Sequence, residues 1–175
     1  ERRMSDEGPC DTYYVYNDWD QLIAVLPPAL IHGLPNSEQT QTYYTAQANV
    51  FLQYAYLYKY DIQNHRVGVK LPGVDWHYTV YDGDHRPVLG QDGRQRLSNE
   101  WTFYKYDGLG RIILEGVFKG STLDNMIQTY ADKLVKEEYT GNTSPTSFGY
   151  SENIIYPYPP TITKAYYYDT YDFLH

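Results

Sequence analysis

Trp76-His77-Tyr78-Thr79-Val80-Tyr81-Asp82-Gly83 and, 25 residues further on, Trp101-Thr102-Phe103-Tyr104-Lys105-Tyr106-Asp107-Gly108 are two copies of one pattern. The match runs past the turn and lays Arg86 on Arg111, Val88 on Ile113 and Leu89 on Leu114. Looser copies stand at Tyr58-Lys59-Tyr60-Asp61 and Tyr14-Val15-Tyr16-Asn17, and a last echo at Tyr167-Tyr168-Asp169-Thr170-Tyr171-Asp172. Recurrence of this kind is how a chain records one structural unit used several times.

Each copy reads aromatic-x-aromatic, Tyr-Asp, a polar or Gly-containing step, Arg, and a β-branched run. Alternating aromatics supply one face of an incoming strand. Asp with Gly or Asn supplies the turn, as in Asp107-Gly108-Leu109-Gly110 and Asp61-Ile62-Gln63-Asn64. Pro87-Val88-Leu89 and Ile112-Ile113-Leu114 then read as outgoing strands. Side by side, such hairpins stack Tyr on Tyr across neighbouring strands. The expected fold is therefore mainly β: an antiparallel meander of hairpins in a twisted sheet, with one or two short helices packed on it.

Composition agrees with that reading. Tyr accounts for 22 of 175 residues, and its ring packs on a pleated surface while its hydroxyl stays wet or hydrogen-bonded. A hydrophobic content of 42% is enough for a core, and the length suits one domain better than two. The formal net charge is −8, with only 14 Lys and Arg spread along the chain. That balance argues against a phosphate-binding surface, so no nucleic-acid partner is expected. Cys10 stands alone, which rules out an internal disulfide and a Cys-rich metal knuckle. No stretch approaches the ~20 apolar residues of a helical membrane span. The start, Glu1-Arg2-Arg3-Met4-Ser5-Asp6-Glu7, lacks a signal peptide's apolar core and an initiator Met, as a fragment or processed chain would. Residues 1–11 are expected to fray.

Tyr-Asp-x-x-Gly-Arg is the signature of YD repeats, and the chain resembles the bacterial Rhs/YD-repeat family, related to ABC-toxin cocoon subunits and teneurins. Tyr106-Asp107-Gly108-Leu109-Gly110-Arg111 matches the signature in full. Tyr81-Asp82-Gly83-Asp84-His85-Arg86 departs only at His85. The copy from Tyr60 carries His65 in place of Arg, and the copy from Tyr16 has Asn17 and Gln21 in place of Asp and Arg. Leu71-Pro72-Gly73, Gln91-Asp92-Gly93 and Tyr166-Tyr167-Tyr168-Asp169 are similar to strings in the same family. The likeness covers residues 12–28 and 54–118, and the C-terminal third more loosely.

The resemblance implies hairpins wound into a hollow shell that encloses a toxic C-terminal domain, or that presents a cell-contact surface. Residues 1–175 would form a single YD-repeat domain, a fragment of a larger secreted or cell-surface bacterial protein of the toxin-delivery type. Its repeat-signature residues, all structural, would be Tyr16, Tyr60, Asp61, Tyr81, Asp82, Arg86, Tyr106, Asp107, Gly110 and Arg111. Its partners would be neighbouring YD repeats of the same polypeptide, and an excised piece is expected to self-associate through strand edges. The family's Asp-Pro autoproteolytic site has no counterpart, since the chain contains no Asp-Pro.

Between the repeats, residues 29–42 read as a surface loop and 36–54 as a short helix or, at Tyr43-Tyr44, a strand. Leu123, Met126, Ile127, Tyr130 and Leu134 follow helical spacing. Ser121 with Asp124 resembles a capping box, and Lys133 and Lys136 suit a helix C-terminus. That helix should cover apolar surface of the sheet. Residues 140–149 read as a loop, and Pro157, Pro159 and Pro160 place a last strand near 161–168 at a sheet edge.

Chemistry is harder to find. The Tyr-Asp-Arg set recurs, whereas a catalytic site is needed once, so an Asp–Arg pair locking each hairpin is the expected role. His77 and His85 with Asp82 and Asp84 lack metal-ligand spacing, and Asp82-Gly83-Asp84 lacks the rest of a calcium loop. Gly108-x-Gly110 is followed by Arg111 rather than a third glycine, and no Gly-x-Ser-x-Gly elbow exists. No catalytic residue, cofactor or metal is expected, and no binding residue can be named. The alternative function is a carbohydrate- or protein-binding surface module using exposed Tyr and Trp. The exposure of Trp76, Trp101 and the repeat tyrosines discriminates the two.

Overall fold

Where aromatics alternate, the chain forms strands. A computed structural model describes residues 2–5, 8–31, 53–142, 144–154, 156 and 159–168. Its strands are β1 (Arg2–Ser5), β2 (Gly8–Asp11), β3 (Tyr13–Tyr16), β4 (Leu22–Leu26), β5 (Tyr56–Tyr60), β6 (Arg66–Lys70) and β7 (His77–Tyr81). They continue as β8 (Pro87–Gln91), β9 (Glu100–Tyr106), β10 (Ile112–Lys119), β11 (Tyr139–Asn142), β12 (Gly149–Tyr150) and β13 (Thr161–Ala165). Three short helices lie among the described residues: α1 (Pro28–Ile31), α2 (Gly93–Leu97) and α3 (Leu123–Tyr130). The fold is mainly β, with β3 to β10 and β13 in a nine-stranded antiparallel sheet, as the repeats lead one to expect.

Two compact units divide the chain, Glu1–His77 and Tyr78–His175. In the first, the hairpins β3–β4 and β5–β6 are joined by pairing of β4 with β5. Among its described residues the buried hydrophobic ones are Ala24, Leu30, Ala55 and Val67. β3 is exposed at every position. In the second unit, the strands run β7, β8, β9, β10, β13 from neighbour to neighbour. Inward residues of these strands, Val80, Leu89, Phe103 and Leu114 among them, build a core with Phe118 and Tyr156. Gly116 is required there, because a Cβ would stand 2.4 Å from the Thr161 carbonyl oxygen and 2.6 Å from the Phe103 ring.

α3 covers this core as its periodicity predicts, burying Met126 and Tyr130. Its ends differ from expectation. The N-cap is Thr122, without a side-chain cap bond. Ser121 instead accepts from Asn125 through Oγ and from the Trp101 indole, at 3.0 Å, through its carbonyl. Lys133, Leu134 and Lys136 lie past the helix, which stops at Tyr130. α2 lies in the Asp92–Asn99 connection, where Asp92 accepts from the Arg94 and Gln95 amides while the Gln95 side chain returns to the Asp92 amide. The Asp-x-x-Gln spacing is a capping box, and it was readable.

Two stretches expected to be irregular contain short paired strands, while 144–148 is turn, as expected of a loop. Of residues 1–11, expected to fray, the described ones pair: β1 lies antiparallel to β2, Arg2 opposite Asp11 and Ser5 opposite Gly8. In 140–149, β11 pairs with β12, with Phe148 and Gly149 turning the corner at φ 50° and 91°. Polar composition suggested a loop there, but the Tyr139 and Tyr150 rings pack edge-to-face at 5.6 Å and anchor the pair. Of the surface loop expected over 29–42, residues 29–31 belong to α1 and the rest lie outside the described residues. The helix or strand expected over 36–54 lies outside them too, but for residues 53 and 54. The final strand is β13, at the sheet edge as the prolines require.

Candidate functional site

The feature that recurs is a turn. At Asp107 the backbone N–H donates to the Arg111 carbonyl at 2.9 Å, and the Gly110 N–H donates back to the Asp107 carbonyl at 3.1 Å. Asp107 Oδ1 accepts from the amides of Leu109 and Arg111, both at 2.9 Å, and Oδ2 takes the Arg111 Nε at 2.6 Å. Such a loop is a type I turn followed by one residue in the left-handed region, which produces a bulge in the hairpin.

The other three copies repeat it. Asp82, Asp61 and Asn17 each bond their own turn amides through Oδ1. The side chain four residues on closes each turn: Arg86 on Asp82 at 2.6 Å, His65 on Asp61 at 2.8 Å, Gln21 on Asn17 at 2.6 Å. The left-handed position falls on Asp20, Asn64, His85 and Gly110, with φ of 58°, 68°, 61° and 79°. Asp, Asn and His tolerate that region better than most residues, which is why only one copy carries the signature glycine. A second bulge, just beyond the turn, also recurs: Tyr16, Tyr60, Tyr81 and Tyr106 pair with Leu22, Arg66, Pro87 and Ile112, while the residue before each Tyr pairs with Ala24, Gly68, Leu89 and Leu114. The skipped residue is always β-branched: Ile23, Val67, Val88 or Ile113.

A second geometry joins one hairpin to the next within each unit. Ala24 lies opposite Leu57, Leu89 opposite Phe103 and Leu114 opposite Ala165. In all three the second residue stands three places before a Tyr: Tyr60, Tyr106 and Tyr168. The hydroxyls of these three donate to the carbonyls of Leu22, Pro87 and Ile112 at 3.0, 2.6 and 3.0 Å. The Arg86 guanidinium lies 4.7 Å over the Tyr106 ring, and that of Arg111 lies 4.4 Å over Tyr168. Each Tyr is thus a rung capping a carbonyl beside the preceding hairpin's bulge, and Tyr106 and Tyr168 also cover the preceding turn's guanidinium. Tyr168 is a rung that sequence comparison caught only as an echo, because 161–168 follows a long insertion.

Charge and burial tune these groups. Burial opposes ionisation of Asp107, but the Arg111 amide and guanidinium and the Leu109 amide outweigh it and hold the carboxyl below its usual range. Burial, together with the Asp82 charge and against the pull of Arg86, pushes the Tyr106 hydroxyl up to about 12. Hydrogen bonding to Lys136 lowers the Asp84 carboxyl. Of the groups weighed as metal ligands, Asp82 holds Arg86 and Asp84 holds Lys136, while His85 occupies the left-handed corner. Among the described residues no three His, Cys, Asp or Glu side chains converge.

The third turn is also covered. Gly83 N–H donates to the Lys133 carbonyl at 2.8 Å, and Asp82 Oδ2 takes the Val135 amide at 3.2 Å. The covering segment is anchored by Glu137, fully buried, which takes Lys105 Nζ at 2.7 Å, the Ser151 hydroxyl at 2.7 Å and the Asn153 amide at 2.8 Å. Nothing in the spacing of Lys105 and Glu137 announces this pair.

No family model matches the chain, and no curated protein matches it either. Among solved structures it is similar to that titled "Crystal Structure of TcdB2-TccC3", at 14% identity and a TM-score of 0.45, over 78% of this chain. The structure titled "Crystal Structure of TcdB2-TccC3-TEV" gives 15% identity and a TM-score of 0.44 over 79%. The matched part is 7% of either of those chains.

Proposed function

We propose that this chain is a non-enzymatic wall segment of an Rhs/YD-repeat β-shell, part of a secreted or cell-surface bacterial protein of the toxin-delivery type. The observation that carries the reading is the recurrence of one rung at Leu22–Tyr60, Pro87–Tyr106 and Ile112–Tyr168, across connections of very different length. A reaction centre needs its constellation once, while a wall needs its joint at every course. The exposure of the aromatics supports the same side: Trp101 is fully buried, Tyr106 is buried, and Trp76 carries Lys59 over its ring at 4.6 Å. The ten signature residues then serve as hairpin locks and rungs, and the partners are neighbouring repeats of the same polypeptide.

Removing rung hydroxyls one at a time tests the reading. Tyr60→Phe and Tyr106→Phe should each lower unfolding stability by about 1 kcal/mol, the net value of one hydrogen bond. Rungs replaced without loss in chemical denaturation would sink the wall reading. The binding-module alternative finds support at β3 and its turn, where Tyr13, Tyr14, Tyr16 and Trp19 are exposed.

A further inference from the structure

Three tyrosine rings that are neither rungs nor turn residues meet in the second unit. Tyr139 of β11 lies edge-to-face against Tyr150 of β12 at 5.6 Å between centroids, and against Tyr167 at 6.2 Å. Tyr150 and Tyr167 stack at 5.9 Å with 20° between their planes. Gly149 makes room for the cluster: its φ is 91°, and a Cβ there would stand 2.4 Å from the Tyr139 ring. The backbone thus gives up a side chain where Tyr139 closes on its neighbours.

The three rings differ in access. Tyr150 is buried, and its hydroxyl donates to the Tyr166 carbonyl at 2.5 Å. Burial pushes that hydroxyl up to about 12, so it stays a neutral phenol, and a backbone carbonyl is too weak a base to take its proton. Tyr139 is 37% exposed and can release a proton to water. Tyr167 is half-buried, and its hydroxyl donates to the Phe148 carbonyl at 2.9 Å in an exposed bond. The pair open to chemistry is therefore Tyr139 and Tyr167, with Tyr150 as the ring that holds both in place.

We propose that Tyr139 and Tyr167 form an oxidative cross-linking site, coupled by peroxide into a dityrosine that ties the β11–β12 hairpin to the segment leaving β13. The oxidant takes one electron and one hydroxyl proton from each phenol. The two radicals join carbon to carbon, each ortho to its oxygen, and the hydrogen displaced on each ring moves to that oxygen and restores the phenol. Two phenols and one hydrogen peroxide enter, and one dityrosine and two waters leave. Rings already held in contact react within one chain before exposed tyrosines of different chains meet. The inference stands apart from the wall reading, since neither ring is a rung or part of a turn lock.

The test treats the dilute folded chain with hydrogen peroxide and a haem peroxidase, then digests it and maps the peptides by mass. The expected product is a peptide pair joined at 139 and 167, lighter by two hydrogen atoms than its parts, in a yield that holds on dilution. Tyr139→Phe and Tyr167→Phe should each abolish it, whereas Tyr150→Phe, which keeps the ring, should not. The same treatment of the chain in denaturant should lower the yield by about tenfold or more. A folded chain without the 139–167 product, joining at Tyr150 instead, or couplings spread over exposed tyrosines such as Tyr13, Tyr14 and Tyr16 would overturn the site. So would a product that fades on dilution or forms equally well from the unfolded chain.

Discussion

The turns at 82–86 and 107–111 share a motif, a backbone and an Asp–Arg lock of 2.6 Å, yet they sit in different surroundings. Asp82 is fully buried and Arg86 17% exposed, against 14% and 34% for Asp107 and Arg111. The covered turn spends its second carboxylate oxygen on two partners, Arg86 and the Val135 amide, and leaves Arg86 Nε buried without a hydrogen bond. The open turn uses Nε directly and sets its guanidinium 4.4 Å over the Tyr168 ring. One local pattern thus serves two purposes: a more exposed hairpin end at 107–111, and a docking point for residues 131–137 at 82–86. The difference lies in desolvation, because an unmade bond to a buried charge costs far more than one facing water.

The comparison can be broken at the cover. Glu137→Ala strands the buried Lys105 ammonium and should cost about 3–5 kcal/mol by chemical denaturation, in line with half-removed buried pairs. The same variant should raise hydrogen exchange at Val135 and Gly83 more than at Leu109 and Gly110. Equal effects on the two turns would mean the cover is not anchored by Glu137. Next in size, Asp82→Ala should cost about 3 kcal/mol and Asp107→Ala about 1–2, since only the first orphans groups away from water. Matching losses would erase the distinction drawn between the turns.

Smaller substitutions sharpen it. A Cβ at Gly83 would stand 3.4 Å from the Ala131 and Lys133 carbonyl oxygens, whereas one at Gly108 meets nothing within 4 Å. Gly83→Ala then meets the 131–133 backbone in ordinary contact and should change the melting temperature little. Gly108→Ala should leave it unchanged or stabilise by about 0.5 kcal/mol through the unfolded chain's entropy. A clear loss of melting temperature in Gly83→Ala would mean that the 131–137 segment is held more tightly against the turn than these distances require. The smallest effect is that of acid. The Asp107 carboxyl is lowered in the folded chain from its usual 3.8, so its stabilisation is complete above that value and is lost as the pH falls through the folded value. Asp107→Asn should flatten the acid limb of the stability curve below about pH 4, and an unchanged limb would discount the Arg111 lock.

Much of the sheet was legible in the residues because a hairpin writes itself locally. The turn bonds span four positions, so Asp107 with Arg111 and Asp82 with Arg86 could be named from spacing, and the aromatic alternation placed the strands on either side. Asn17, Gln21 and His65 depart from the signature in sequence, and Asn64 reads as turn chemistry. In the structure each keeps the same hydrogen bond or the same left-handed corner. The hairpins at 2–11 and 139–150 escaped notice because neither carries the motif.

The amino-acid order alone determined the repeating hairpin, its bulge and the mainly β architecture, since these depend on backbone bonds between near neighbours. Tertiary structure alone decided that Tyr168 is a rung, that 131–137 covers one turn and not the other, and that Lys105 meets Glu137. Those contacts join residues tens of positions apart, and no period in a sequence records where an insertion folds back and excludes water.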